Sequence, residues 1–202
     1  MSKIFVVVGK SATGKDTIFK ALRENRQLNL KSVVTYTTRP IREGETEGME
    51  YFFVSRERLQ ELQESNKVIE HRAYKTVHGI WDYFTVDDGQ IDLNTSNYIL
   101  IGTLESFEQI RNYYGEKAVI PLYIQVEDGI RLERALHREK QQKSPKYAEL
   151  CRRYLADEKD FSEKNLKKLG ICKRYENHDF DQCLSEIIRD MGENLSIDEN
   201  VD

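Results

Sequence analysis

The first apolar run, KIFVVV at residues 3–8, shows no alternation with polar residues. That is the pattern of a strand buried on both faces. A Gly-containing loop follows at 9–15, and residues 16–26 set Ile18, Phe19 and Leu22 at helical spacing. Short β-type runs predict strands at 33–36, 51–54, 68–74 and 82–86, with a helix over 56–63 among them. Beyond these the pattern gives a strand at 98–102, a helix at 104–114 and a strand at 118–126. Charged amphipathic helices are expected over 127–140 and 145–164, then a strand at 171–175 and a helix at 180–191. The last stretch, GENLSIDENVD, has little to bury and is expected to be disordered. Strands alternating with helices predict an α/β fold in three layers around a parallel sheet. Its core takes residues 1–33, 90–126 and 170–191, while the strand cluster at 34–89 reads as a small antiparallel insert and 127–169 as a helical insertion.

Composition narrows the function. A chain of 202 residues suits one domain. The formal net charge of −4 speaks against a general nucleic-acid binder. The charge is uneven, however: residues 126–175 carry 14 Lys and Arg against 9 Asp and Glu, whereas 176–202 carry 1 against 9. The helical insertion is therefore the basic part of the chain. No apolar run approaches the roughly 18 residues needed to span a bilayer, and the N-terminal apolar stretch is too short for a signal peptide. Cys151, Cys172 and Cys183 have no CxxC spacing, and the four histidines form no metal-binding pattern. The expectation is a cytoplasmic protein acting on small molecules, with no nucleic-acid or membrane partner, as a monomer or weak homo-oligomer.

GKSATGKD at residues 9–16 fits GxxxxGK between a buried strand and a helix. In such a loop the backbone amides, here from Gly9 through Ser11, Thr13 and Gly14, cradle phosphate oxygens. Lys15 reaches the outer phosphates of ATP, and the helix N-terminus adds positive potential. The next position usually offers a hydroxyl to Mg²⁺, but here it is Asp16, followed by Thr17. A carboxylate is a hard oxygen donor suited to Mg²⁺, so Asp16 and Thr17 are the metal candidates. An acid stabilised by the helix dipole is the plainer reading of Asp16.

TYTTRPIREGETEGMEYFFVS at 35–55 gathers Thr35, Thr37, Thr38, Arg39, Arg42 and Tyr51. Guanidinium forks, hydroxyls and a phenol suit a tetrahedral dianion. This stretch resembles the guanylate kinase family of nucleoside monophosphate kinases, whose pattern here is close to TTRxxRxGExxGxxYxF. The resemblance implies transfer of the γ-phosphoryl group of ATP to GMP or dGMP, with Mg²⁺. It implies that Thr35, Arg39, Arg42 and Tyr51 hold the acceptor phosphate and that Glu70, in VIEHRAY, reads the guanine N1–H and 2-amino group. It makes the helical insertion a lid whose Arg134, Arg138 and either Arg152 or Arg153 clamp the transferring group. Asn177 matches an asparagine before the last helix, as a nucleotide contact or a turn former.

Two departures stand out. Where the family has an LDID-like run, this chain has YILIGTLES, so Ile101 and Thr103 replace two acids. Thr103 is left as a substrate-side candidate, and Asp16 is expected to supply the missing metal carboxylate. In KTVHGIWDYFT, His78 stands for a phosphate-binding tyrosine and Ile80 for a hydroxyl that would reach guanine O6. Trp81 and Tyr83 stack on a base or pack in the core. A P-loop kinase for another nucleotide or a sugar phosphate, and a non-catalytic binding module, remain alternatives.

Overall fold

In the computed structural model, which describes residues 2–76 and 79–196, the first apolar run forms β1 (Ile4–Val8), and all five residues are fully buried. β1 lies between β7 (Asn97–Ile101) and β8 (Val119–Gln125), paired in parallel with both. β2 (Leu30–Ser32) and β9 (Tyr175–Glu176) close the edges, giving the order β2-β7-β1-β8-β9. Side chains alternate across β1. Ile4, Val6 and Val8 face Phe107 and Ile110 of α3 (Leu104–Tyr114) and Leu166 of α6 (Glu163–Lys168). Phe5 and Val7 face Ile18 and Leu22 of α1 (Lys15–Glu24) and Ile187 of α7 (Phe180–Ser196). Cover on both faces explains the unbroken apolar run, and the three layers are as expected.

The insert holds β3 (Tyr36–Thr37), β4 (Phe52–Phe53), β5 (Val68–Thr76) and β6 (Gly79–Val86), ordered β4-β3-β6-β5, with α2 (Arg56–Glu64). β6 pairs antiparallel with β5 and β3, but β3 and β4 run parallel, so the sheet is mixed rather than antiparallel. The chain from Thr37 to Phe52 is long enough to cross over and return in the same direction.

Other boundaries also moved. Of the strand expected at 33–36 only Tyr36 lies in a strand, at the start of β3, because β2 already ends at Ser32. The helix expected over 145–164 is two, α5 (Tyr147–Asp160) and α6, following α4 (Asp128–Lys140). The break inserts Phe161 into the core, where it stacks on Tyr123 at 5.7 Å. Ile171 is buried but only Tyr175 and Glu176 join the ladder. α7 runs past residue 191 to Ser196 because Leu195 still packs on the core, so disorder from 192 is not found; residues 197–202 lie outside the described residues. Among the described residues no helix is long and apolar enough to cross a membrane.

Candidate active site

The phosphate loop leaves the C-terminal end of β1, beside the ends of β7 and β8, where open parallel sheets bind ligands. Gly9 is pressed so close to β8 that a Cβ would stand 2.5 Å from the Ile124 carbonyl oxygen. Gly14 takes φ +82 and caps α1. The Thr13 hydroxyl donates to the Lys10 carbonyl at 3.0 Å, and buried Asn177 donates through Nδ2 to the Thr13 carbonyl at 2.8 Å. Asn177 is thus a buttress of the loop. Lys15 opens α1 on the floor of a cleft of about 530 Å³, which Gly9, Thr103, Arg152, Arg153 and Tyr74 also line. Asp16 and Thr17 follow in the same turn with exposed side chains.

The helical insertion is tied to this loop by charge. Arg131 of α4 is 1% exposed. It pairs with Asp128 at 3.0 Å, Asp157 at 3.3 Å and Glu158 at 2.6 Å, and lies over Tyr154 at 4.2 Å. Lys10 joins through Glu158 at 2.6 Å and Asp128 at 3.2 Å. Burial would lower the Lys10 pKa, but these carboxylates outweigh it and hold it above its ordinary value. The Asp157 carboxylate also accepts the Ser11 backbone N–H at 2.7 Å. A lid carboxylate therefore sits on a loop amide of the kind that binds phosphate.

In the insert, Arg39 is buried, its fork bidentate on Glu45 at 2.7 and 2.6 Å, its guanidinium over Tyr51 at 5.0 Å and Phe53 at 5.3 Å. The Arg39 hydrogen bonds hold Glu45 far below the usual carboxylate range, at about 2. Burial pushes the Tyr51 phenol up. Asp82 organises the neighbouring wall: its side chain meets His71 at 2.8 Å and the Thr38 hydroxyl at 3.0 Å, and its carbonyl accepts the Thr37 hydroxyl. Glu70 is buried against Arg72 and Thr85.

This combination of phosphate loop, β-rich insert and helical lid has counterparts. The family described as "Guanylate kinase" matches residues 1–186. The chain belongs to the guanylate kinase family. A guanylate kinase of Porphyromonas gingivalis (strain ATCC BAA-308 / W83) is 31% identical over 121 residues, 59% of this chain and 63% of that one. Guanylate kinase 2, chloroplastic/mitochondrial, of Oryza sativa subsp. japonica is 30% identical over 138 residues, 67% of this chain and 46% of its own length. The chain thus spans under two thirds of the length of either relative. The crystal structure of guanylate kinase from Anaplasma phagocytophilum superposes with a TM-score of 0.61 at 19% identity, covering 94% of this chain and 84% of that one, which is a likeness of fold.

Against the guanylate kinase pattern, the expected site residues divide. Gly9, Ser11, Lys15, Thr103 and Arg153 line the cleft at the loop together. Thr103 also caps α3, its hydroxyl accepting the Ser106 N–H at 3.2 Å. Arg134 donates to the Asn177 carbonyl at 3.2 Å, and exposed Arg138 lines a small cavity with Ser11, Arg131 and Arg153. Thr35 is half-buried beside β4, its carbonyl accepting the Phe52 N–H. Arg42 lies apart from Lys15, over Trp81 in a second open cleft shared with Arg56. His78 lies outside the described residues. Sequence reasoning missed Arg72, Asp157 and Arg131. Arg72 had a signal, since it stands two residues from Glu70 and so on the same strand face.

Asp16 and Thr17 fit a Mg²⁺ that enters with its nucleotide. Both present hard oxygen donors to solvent at the loop, and no group of three or more metal-ligating side chains exists among the described residues to hold an ion unaided. Mg²⁺ characteristically takes one or two protein donors plus substrate phosphates.

Proposed function

We propose that the protein transfers the γ-phosphoryl group of ATP to GMP or dGMP, giving ADP and GDP or dGDP. One observation carries the assignment beyond family membership. Among the described residues, the buried side-chain polar atoms without a hydrogen-bond partner are Nε of Arg39 and Nε of Arg153. Buried unmet donors are rare and call for a reason, and an anionic substrate oxygen is a fitting partner for a guanidinium N–H. The first belongs to the expected acceptor side; the second, 3.7 Å from Glu149 Oε1, belongs to the helical insertion.

The acceptor phosphate is itself an anionic nucleophile, so positioning and charge neutralisation supply the catalysis. Lys15 and the loop amides hold the donor phosphates. Arg39 and Tyr51, with Thr35 and Arg42, orient the acceptor, and Arg134, Arg138 and Arg153 neutralise charge as the lid closes and water leaves. Asp16 and Thr17 would hold Mg²⁺, which would supply positive charge to offset that of the donor phosphates. The free thiols of Cys151, Cys172 and Cys183 suit a reducing cytoplasm, and a monomer or weak homo-oligomer suffices for this chemistry.

The test is ADP release from Mg²⁺-ATP with a panel of monophosphates. Turnover is expected with GMP and dGMP, abolished in Lys15→Met and reduced in Asp16→Ser. Turnover confined to another nucleotide or a sugar phosphate would replace the acceptor, and none with any acceptor would point to a binding module. The engaged state of Glu70 favours a relaxed choice of base.

A further inference from the structure

The inner face of the insert carries a continuous row of rings. Tyr51 meets Tyr83 edge-on at 5.6 Å, and Tyr83 meets Tyr74 in the same way at 5.6 Å. Arg39 stacks at the Tyr51 end, and Tyr74 reaches the cleft that Lys15 lines. In the β5–β6 pairing Glu70 stands across from Thr85, Arg72 from Tyr83 and Tyr74 from Trp81. Arg72 therefore stands beside Tyr83 in the middle of the row, with Tyr74 on one side and Glu70 on the other, and Glu70 is the residue expected to meet the acceptor's base.

Glu70 is not free to receive it. Its Oε2 accepts Arg72 Nε–H at 2.9 Å, and its Oε1 accepts Arg72 Nη2–H at 3.1 Å and the Thr85 hydroxyl at 2.9 Å. Two parallel N–H donors on one carboxylate edge are what the N1–H and 2-amino group of guanine would present. Arg72 makes the same two-pronged contact from within the chain. The Glu70 side chain has no exposed surface and that of Arg72 is 11% exposed. Exchanging one partner for a neutral base would strand a charge in the interior.

We propose that Arg72 keeps the bidentate edge of Glu70 closed to the acceptor, so that the 2-amino group of the base goes unread and Arg72 sets base selectivity. Arg72 acts through Glu70 as a positioning residue. The inference rests on the proposed purine monophosphate acceptor, and it predicts that IMP, which is GMP without the 2-amino group, is accepted nearly as well.

The experiment compares GMP and IMP on the full chain, by calorimetric affinity and by kcat/KM with Mg²⁺-ATP. The wild-type protein is expected to favour GMP by less than about tenfold. A carboxylate that read the 2-amino group would exceed that ratio, because an unmade hydrogen bond to a charged group costs at least that much. A ratio of tenfold or more overturns the inference. Arg72→Gln removes the fork and opens Glu70, so the preference for GMP is expected to rise above tenfold. A purely structural role would weaken both acceptors equally and leave the ratio unchanged, which also overturns it. Should Arg72→Gln not fold, the wild-type ratio alone decides. Failure of the underlying function looks different: neither GMP nor IMP binds or turns over, and both claims fall together.

Discussion

Arg39 and Glu45 show how a side chain expected to hold a ligand first has to be held itself. The guanidinium has spent both prongs on Glu45 and keeps only Nε unmet. The pair fixes the plane of the fork over Tyr51 and leaves one donor for an incoming oxygen. Its pH signature follows from the depressed Glu45 carboxyl. A group whose pKa falls from 4.5 to about 2 on folding contributes its full stability above its unfolded value and loses it as pH falls towards the folded one. Glu45→Gln removes that component. Urea denaturation midpoints of wild type and Glu45→Gln should therefore differ most above about pH 5 and converge by about pH 2. A gap that persists at the acid end would mean the pair contributes by packing alone. The chemistry of such residues is plain in the sequence, while their pairing is not. Arg39 with Glu45 depends on how the 40–44 loop folds back, whereas Glu70 with Arg72 follows from strand alternation alone.

Helices α4 and α5 were visible as charged amphipathic segments, but their function as a unit depends on contacts between distant parts of the chain. Arg131 is nearly inaccessible and bridges Asp128 of its own helix to Asp157 and Glu158 of the next. Those carboxylates also engage Lys10 and the Ser11 amide, so one guanidinium couples the lid to the phosphate loop. Removing it leaves Asp128 and Glu158 facing Lys10 alone and Asp157 with only the Ser11 N–H. Breaking a buried ion pair from one side typically costs about 3–5 kcal/mol. Partial exposure of Asp128 and Glu158 puts Arg131→Met at the low end, about 3 kcal/mol. Urea unfolding should show that loss, and limited proteolysis should show cleavage at α5 before the core. An unchanged midpoint with a protected α5 would make the network a surface feature. The helix break at Phe161 was hidden for a related reason, since nothing local in 145–164 announces the stacking on Tyr123.

At the scale of the whole molecule, hydrophobic periodicity predicted the three layers because both faces of β1 are covered, which leaves its mark on every residue of the strand. Strand order, the parallel β3–β4 pair and the ion pairs that join α4 and α5 to the loop depend on long-range pairing and left no comparable mark. The layering has a consequence measurable without substrate. Cys183 lies in the cluster between the sheet and α7, 1% exposed, and burial with nearby Glu186 pushes its thiol up to about 11. Cys151 on α5 and Cys172 before β9 are exposed. Alkylation requires an accessible thiolate. At neutral pH two thiols should react quickly, and Cys183 should react only when α7 leaves the sheet. Mass spectrometry of iodoacetamide-treated protein should therefore show a stable doubly labelled species. The slow third addition should accelerate with urea in proportion to global unfolding, because Cys183 belongs to the same core as β1 and α1. Arg131→Met separates the two levels of organisation. If it loosens only the lid, Cys183 labelling keeps the wild-type rate while α5 becomes cleavable; if the domain unfolds as one unit, both rise together.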